Sequence, residues 1–303
     1  MDGKSLLYSL RNLLNESSTS GFLNTRSSYE FLWEAAKEFV KRTKCLHATQ
    51  TITTVASQSS YTLNADFLAL WLTDQSKEYV IRYTSSGSLY RVKLRDYGRV
   101  LLDNSTTSAS VPSYFALIDN ETAVTRITGT ATGNGAKSGG EAILTDSAGD
   151  FSNAAAGDIV HNTTDGSVGY VLSKTSSTQL VTALFDGAND DWSTSDAYVI
   201  QPQTRIKLTL DPPPSSASDT VTFDYVQAPA PVFSDYGIYR IPEIYQDALV
   251  KYAAWLYKFR DREPNFGDVY YRQFDSAVRR AAEQYTQAFG KTKIHINLGG
   301  NRY

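Results

Sequence analysis

The sequence predicts an α+β protein: a helical-bundle body made of N- and C-terminal helices, a β-rich middle, and a small all-β sandwich or barrel inserted into that middle. Apolar residues recur at helical spacing near both ends of the chain, and from Thr49 the apolar period falls to two. Charge also changes abruptly inside the β-rich stretch. Ile127–Gln201 holds Lys137 and Lys174 against nine acids, whereas the rest of the chain carries 27 Lys and Arg against 23 Asp and Glu. Such a split suits one unit packed into an assembly and another projecting into water. The predicted division is residues 1–126 and 202–303 for the body and 127–201 for the insert.

The first helix is expected over Ser5–Leu14, with Leu6, Leu7, Leu10, Leu13 and Leu14 at helical spacing and Asp2 as its cap. For the second, Ser27-Ser28-Tyr29-Glu30 fits a capping box in which Ser27 and Glu30 satisfy each other's backbone N–H groups. Tyr29, Leu32, Ala36, Phe39 and Val40 then share one face, and Glu34, Lys37, Glu38 and Lys41 take the other. Cys45, the single cysteine, follows the basic run Lys41–Lys44; those cations could activate it, and burial would silence it.

The alternation of Thr51–Val55, a turn at Ala56–Ser59 and Tyr61–Leu63 outline a β-hairpin, and Tyr79–Tyr83 with Ser88–Leu94 outline a second around Ser85-Ser86-Gly87. Tyr114–Ile118 is a further strand. Inside the acidic block, turn signals such as Asp165-Gly166 and Asp186-Gly187 separate strands at Ala142–Thr145, Asp158–His161, Gly169–Ser173, Gln179–Leu184 and Ala197–Ile200. Arg205–Leu210 alternates, Pro212–Pro214 breaks it, and Thr220–Gln227 is its expected partner. Two long helices close the chain. One carries the stripe Ile244, Ala248, Tyr252, Trp255 and Phe259 after Pro242; the other runs from Gly267 to Phe289 with Tyr270, Phe274, Ala277, Ala281, Tyr285 and Ala288 inward.

Little here reads as catalytic chemistry. His47, His161 and His295 lie in separate segments, so no metal site is expected, and no cofactor is implied. Gly133–Ser138 lacks the glycine pattern of a phosphate loop, Asp186–Asp191 lacks the alternating register of a calcium loop, and no nucleophile elbow occurs. The expectation is therefore a protein that is not an enzyme. A net charge of −3 argues against gripping nucleic acid by its phosphates. The longest apolar run, Phe67–Leu72, is far too short for a membrane span, and the N-terminus does not read as a signal peptide, so a cytosol-like space is expected.

Tyrosine is the positive signal. Ten of the twenty lie from Tyr225 onward, and Tyr239, Tyr257, Tyr271 and Tyr303 fall outside the inward stripes. Tyrosine with arginine is what protein interfaces favour, and Arg272, Arg279 and Arg280 share a helix with Tyr271; Tyr257, Tyr271, Arg272, Arg279 and Arg280 are thus candidate subunit-interface residues, a thick aromatic core being the competing explanation.

The order of elements, together with SYEFLWEAAKEFVKRTKCLHATQTITTVASQSSYTLNADFLALW at Ser28–Trp71, FDYVQAPAP from Phe223 and IPEIYQDALVKYAAWLYKFRDREP from Ile241, resembles the head-to-tail connector (adaptor) proteins of tailed bacteriophages. GDIVHNTTDGSVGYV and DDWSTSDAYVIQPQ, within and just beyond the acidic block, look like a β-module found as an insertion in some phage structural proteins. The resemblance implies a structural virion protein of the neck, assembled in the bacterial host cytoplasm: a dodecameric ring docked on the portal protein, facing a tail tube, nozzle or head-closure protein, and lining a channel through which double-stranded DNA passes without sequence-specific binding or membrane contact. By position it assigns portal binding to the C-terminal segment, through Lys291, Lys293, Ile294, Ile296, Leu298, Arg302 and Tyr303. The alternative is a carbohydrate- or receptor-binding tail protein using Trp192 and nearby acids as its contact.

Overall fold

Asp2 does cap the first helix. Its Oδ1 accepts from the backbone N–H of Ser5 at 2.8 Å, α1 runs over Gly3–Leu14, and Asn15 in the left-handed region ends it. The second helix, α2 (Thr25–Thr43), starts earlier than its capping-box signature: Asn24 Oδ1 accepts from Ser27 N–H at 2.7 Å. Glu30, freed from capping, instead accepts from Arg26 Nε at 3.0 Å and from the Tyr170 hydroxyl at 3.0 Å. In this computed structural model residues 1–16, 23–71, 81–96, 98, 100, 108–119, 124–260 and 264–288 are described.

Over its described residues the chain is mostly β, with two barrel-like sheets, and this corrects the expected helical-bundle body. Eight strands form one barrel-like sheet: β1 (His47–Thr53), β2 (Ser60–Thr62), β3 (Phe67–Leu70), β4 (Ile81–Ser85), β5 (Ser88–Leu94), β6 (Tyr114–Asp119), β13 (Ile206–Asp211) and β14 (Thr220–Gln227). Their order is β1-β14-β4-β5-β6-β13-β2, with β3 also on β14. Among the described residues only four α-helices occur, the last two being α3 (Gln246–Arg260), entered through a 3₁₀ turn at Glu243–Tyr245, and α4 (Pro264–Ala288). The sheet has its own core of Tyr83, Phe115, Leu208, Phe223, Tyr225 and their neighbours, and Val226 of β14 joins the core of the helices.

Two predicted pairings are also corrected. Thr51–Val55 and Tyr61–Leu63 do not form a hairpin: β1 pairs antiparallel with β14 and β2 with β13. Nor is Thr220–Gln227 the partner of Arg205–Leu210, since β13 lies between β6 and β2. The β4–β5 hairpin forms as expected over its described residues, with Ser86 and Gly87 at positive φ supplying the tight turn that matches strand twist.

A second, smaller barrel is made by β7 (Ile127–Thr130), β8 (Ala142–Thr145), β9 (Ile159–Asn162), β10 (Ser167–Ser176), β11 (Gln179–Phe185) and β12 (Ala197–Gln201), in the order β7-β12-β9-β10-β11-β8. Just past β7, Thr132 N–H donates to the carbonyl of Thr145 on β8 at 2.8 Å, bringing the two ends of that order together. Its core holds Leu144, Phe151, Val160, Leu180, Trp192 and Tyr198. Buried polar groups inside it are partnered: the Tyr198 hydroxyl donates to Asp146 Oδ2 at 2.7 Å, and the attached carboxylate helps push the Tyr198 pKa, already raised by burial, further up.

The smaller barrel does not project freely into water; it is docked. Phe233, fully buried, meets Tyr170 of β10 at a ring separation of 4.7 Å and Phe185 of β11 at 5.9 Å on one side, and Tyr29 and Trp33 of α2 at 5.8 and 5.9 Å on the other. At the edge of this contact Arg26 pairs with Asp186 at 2.9 Å. A polar lock lies where the chain leaves the smaller barrel: buried Asp158 accepts from the N–H groups of Gln203 and Ala155 at 3.0 and 2.8 Å and sits 3.6 Å from the buried guanidinium of Arg205, which also donates to the carbonyls of Gln203 and Asn153.

Residues 127–201 expressed alone should give a dispersed amide NMR spectrum, because their core is self-contained; a collapsed spectrum would show that the barrel needs the Phe233 contact. Burial raises the Asp158 carboxyl pKa, opposed by the Gln203 and Ala155 N–H groups and by Arg205. The folded state therefore holds this proton more tightly than the unfolded chain, and stability is lost as pH rises from the ordinary carboxylate value through the raised one. Arg205→Met should cost about 3–5 kcal/mol near neutral pH by leaving a buried charge unpaired. Urea unfolding at about pH 7 and about pH 5 should show a smaller cost at the lower pH.

Candidate assembly surfaces

The C-terminal helices expose a surface that the apolar stripes did not foretell. α3 packs against α1, α2 and α4, so its buried face is wide: Ala248, Leu249, Val250, Ala253, Ala254 and Tyr257. Two residues of the predicted stripe are consequently left outside, Ile244 at 74% and Phe259 at 63% exposure. Phe259 continues a ladder of rings up the helical hairpin, with Trp255–Phe259 at 6.0 Å, Trp255–Tyr271 at 5.0 Å and Tyr252–Trp255 at 5.1 Å. Gly267 lets the two helices close on this ladder, since a Cβ there would lie 3.1 Å from Trp255 Cδ1. The α4 stripe is better read: Phe274 and Ala281 are buried as expected, Val278 joins them, and the side chains of Tyr285 and Ala288 lie outside the described residues.

Polar groups organise the same hairpin. Asp275 accepts from Arg42 of α2 and pairs with Arg279 at 2.8 Å; the Arg42 hydrogen bond, helped by Arg279, holds its carboxyl below the usual range against some burial. Val269, Arg272, Gln273, Ser276 and Arg280 line the outer face of α4. Among the described residues neither Arg272 nor Arg280 has an acidic partner within salt-bridge distance, although Asp268 and Glu283 are exposed near the ends of that face.

The five candidate interface residues thus divide. Tyr271, Arg272, Arg279 and Arg280 are exposed, whereas Tyr257 is only 4% exposed and its hydroxyl donates to Glu16 Oε1 at 2.8 Å. Tyr239 is likewise interior, so for these two tyrosines the core explanation holds. Phe259 and Trp255 were missed, and no sequence signal could have found them, because helical spacing assigned both inward. Lys291, Lys293, Ile294, Ile296, Leu298, Arg302 and Tyr303 lie outside the described residues.

Several other candidates are relocated. Trp192 is 1% exposed and its indole N–H donates to Thr182 Oγ1 at 2.9 Å; a side chain so enclosed cannot stack on a sugar, which removes the contact on which the carbohydrate alternative rested. Cys45 is half-buried and its thiol pKa is raised by burial, not lowered by the neighbouring cations. Among the described residues no group of three or more His, Cys, Asp or Glu could hold a metal ion, and no helix is long and apolar enough to cross a membrane.

Tyr257→Phe should lower stability by about 1 kcal/mol through loss of its part-buried hydrogen bond to Glu16. Arg272→Ala should stay within about 0.5 kcal/mol of the parent, as surface substitutions do. Thermal melts of both variants check the division between core and surface.

The family model described as SU10 adaptor protein matches residues 1–136 and 121–293, and the chain belongs to that family, a phage adaptor family. The second matched stretch runs through 127–201, so the match does not set that block apart from the rest. No curated protein matches the sequence.

Proposed function

We propose that this adaptor-family chain is a structural protein of the virion neck that assembles as a ring beneath the portal and passes double-stranded DNA through its centre. The observation that carries this reading is the outer face of the α3–α4 hairpin. A phage adaptor works by contacting other head and tail proteins, and the hairpin exposes Phe259 and Tyr271 beside Trp255, and Val269, Arg272 and Arg280 along the outer face of α4, a mixture of aromatic, aliphatic and guanidinium surface that protein interfaces favour. A ring subunit needs such lateral surface, because closed symmetry buries one face of each copy against the next. Mild overall acidity suits a channel past which phosphates must slide without being held. The role is architectural, not catalytic: it needs no cofactor, and the tail-side neighbour would be a tail tube, nozzle or head-closure protein.

The test is native mass and negative-stain imaging of the recombinant chain, alone and mixed with the portal protein of the same genome. Rings of about twelve copies on the portal are expected, and a monomer that ignores the portal would remove the adaptor-ring reading. Deleting 291–303 should weaken portal docking and leave the melting curve unchanged; unaltered docking would take that segment out of the contact.

A further inference from the structure

We propose that the groove between the two barrels seats the acidic end of the smaller barrel of a second copy of this chain. The inference deepens the ring reading and rests on it. Two adjoining clefts of about 670 and 680 Å³ run between the barrels and share Ala65, Asp66, Ala156 and Lys174 as lining. Among the described residues five cations line them, Lys37, Lys174, Arg205, Lys207 and Arg240, against the carboxylate of Asp66. Asp66 is already engaged, accepting from the Tyr225 hydroxyl at 2.8 Å and from Gln227 Nε2 at 2.6 Å. Arg205 is committed to Asp158 and Lys37 to Glu34. Lys174 donates to the Ser152 carbonyl near exposed Asp150, and among the described residues Lys207 and Arg240 have no acidic partner within salt-bridge distance. Among the described residues the groove is therefore a cationic slot in which Lys207 and Arg240 lack an acidic counterpart.

The counterpart is displayed on the opposite end of the smaller barrel. There Asn162 Nδ2 donates to Asp165 Oδ2 at 3.1 Å, to the Asp191 carbonyl at 3.2 Å and to Asp196 Oδ2 at 2.9 Å, while Asp186 and Asp190 occupy the adjoining turn. Five aspartates thus cluster at one rim, Asp186 exposed, Asp165, Asp190 and Asp191 half-buried and Asp196 buried, and among the described residues the cations paired with them are Arg26, on Asp186, and Lys137, on Asp190. β10 spans the barrel between the two sites: the Ser167 hydroxyl donates to the Asn189 carbonyl at the acidic rim, and Lys174 lines the groove. Seven residues of extended chain separate them by roughly 23 Å, well over the Debye length of about 8–10 Å. Within one copy the two fields cannot neutralise each other. Between copies they can, and a contact joining different surfaces of identical chains is the head-to-tail kind that closes rings.

Two charge variants test this without touching the core. Lys174→Glu with Lys207→Glu reverses the groove, and Ala188→Lys with Asn189→Lys, both at exposed positions, reverses the rim. Assembly is read by native mass spectrometry with and without portal. Each double variant alone should lose at least about tenfold in assembly affinity, and an equimolar mixture should recover it, since like charges across a contact repel and alternation of the two variants makes every contact opposite in charge. Unchanged assembly of either variant would overturn the proposal, as would a mixture that fails to recover. Intact assembly with lost DNA retention in the groove variant would assign the groove to phosphates and overturn it too. A wild-type chain that never assembles would sink the ring reading itself, and the groove contact with it.

Discussion

Phe233 is the contact on which the arrangement of the chain depends. It belongs to neither a strand nor a helix, yet rings from α2 and from two strands of the smaller barrel meet on it. Each such pair adds about 0.5–1.5 kcal/mol beyond the area it buries. The strap that carries Phe233 is held on every side: Trp33 Nε1 donates to the Pro229 carbonyl at 3.0 Å, Gly3 N–H to the Gly237 carbonyl at 2.8 Å, and Asp235 N–H to the Gly139 carbonyl at 2.8 Å. Gly139 at positive φ, against the ring of Tyr236, leaves no room for a side chain at that last contact. One strap therefore joins α1, α2 and the smaller barrel at a shared contact.

An aromatic hub fixes proximity but leaves rotation about the contact weakly specified, because dispersion and ring packing tolerate sliding. The Asp158–Arg205 lock removes that freedom. A buried ion pair contributes little net stability once both charges have been desolvated. Its hydrogen bonds, however, are satisfied in one orientation only, with two N–H groups on the carboxylate and two carbonyls on the guanidinium. The apolar hub thus supplies the free energy of docking, and the polar lock supplies its angle.

How much of this could be read beforehand follows from which interactions are local. The Asp2 cap, the turn at Ser86-Gly87 and the strands of residues 127–201 were legible because each is written within a few neighbouring residues. The pairing of β1 with β14, across more than 160 residues of chain, was not. Thr-rich strands such as Thr49–Thr53 carry no strong apolar face to specify a partner, so a nearby turn suggested a hairpin that tertiary packing overrode. The helical bundle was overread for a related reason: long helices announce themselves by period, whereas three- and four-residue strands such as Ser60–Thr62 and Phe67–Leu70 do not. At the candidate surface, a single buried stripe on α3 places Tyr257 outward and Phe259 inward. Packed on three helices it has a wide one, and a single-stripe pattern then misplaces residues at both edges.

Rigid docking changes what the uneven charge distribution can do. An acidic barrel on a loose tether would sample many directions, and its field would average toward an isotropic repulsion that keeps copies apart. Held by Phe233 and locked by Arg205, the same barrel presents its aspartate rim in one direction and the cationic groove in another. A subunit with opposite charges fixed on opposite ends prefers a neighbour in the same orientation, head to tail, over one turned to face it. The strength of that preference falls with salt, but its direction does not, because the frame of rings and buried hydrogen bonds beneath it is insensitive to screening. Charge patterning and core packing, read separately from the sequence, become one property once the docking contact joins them.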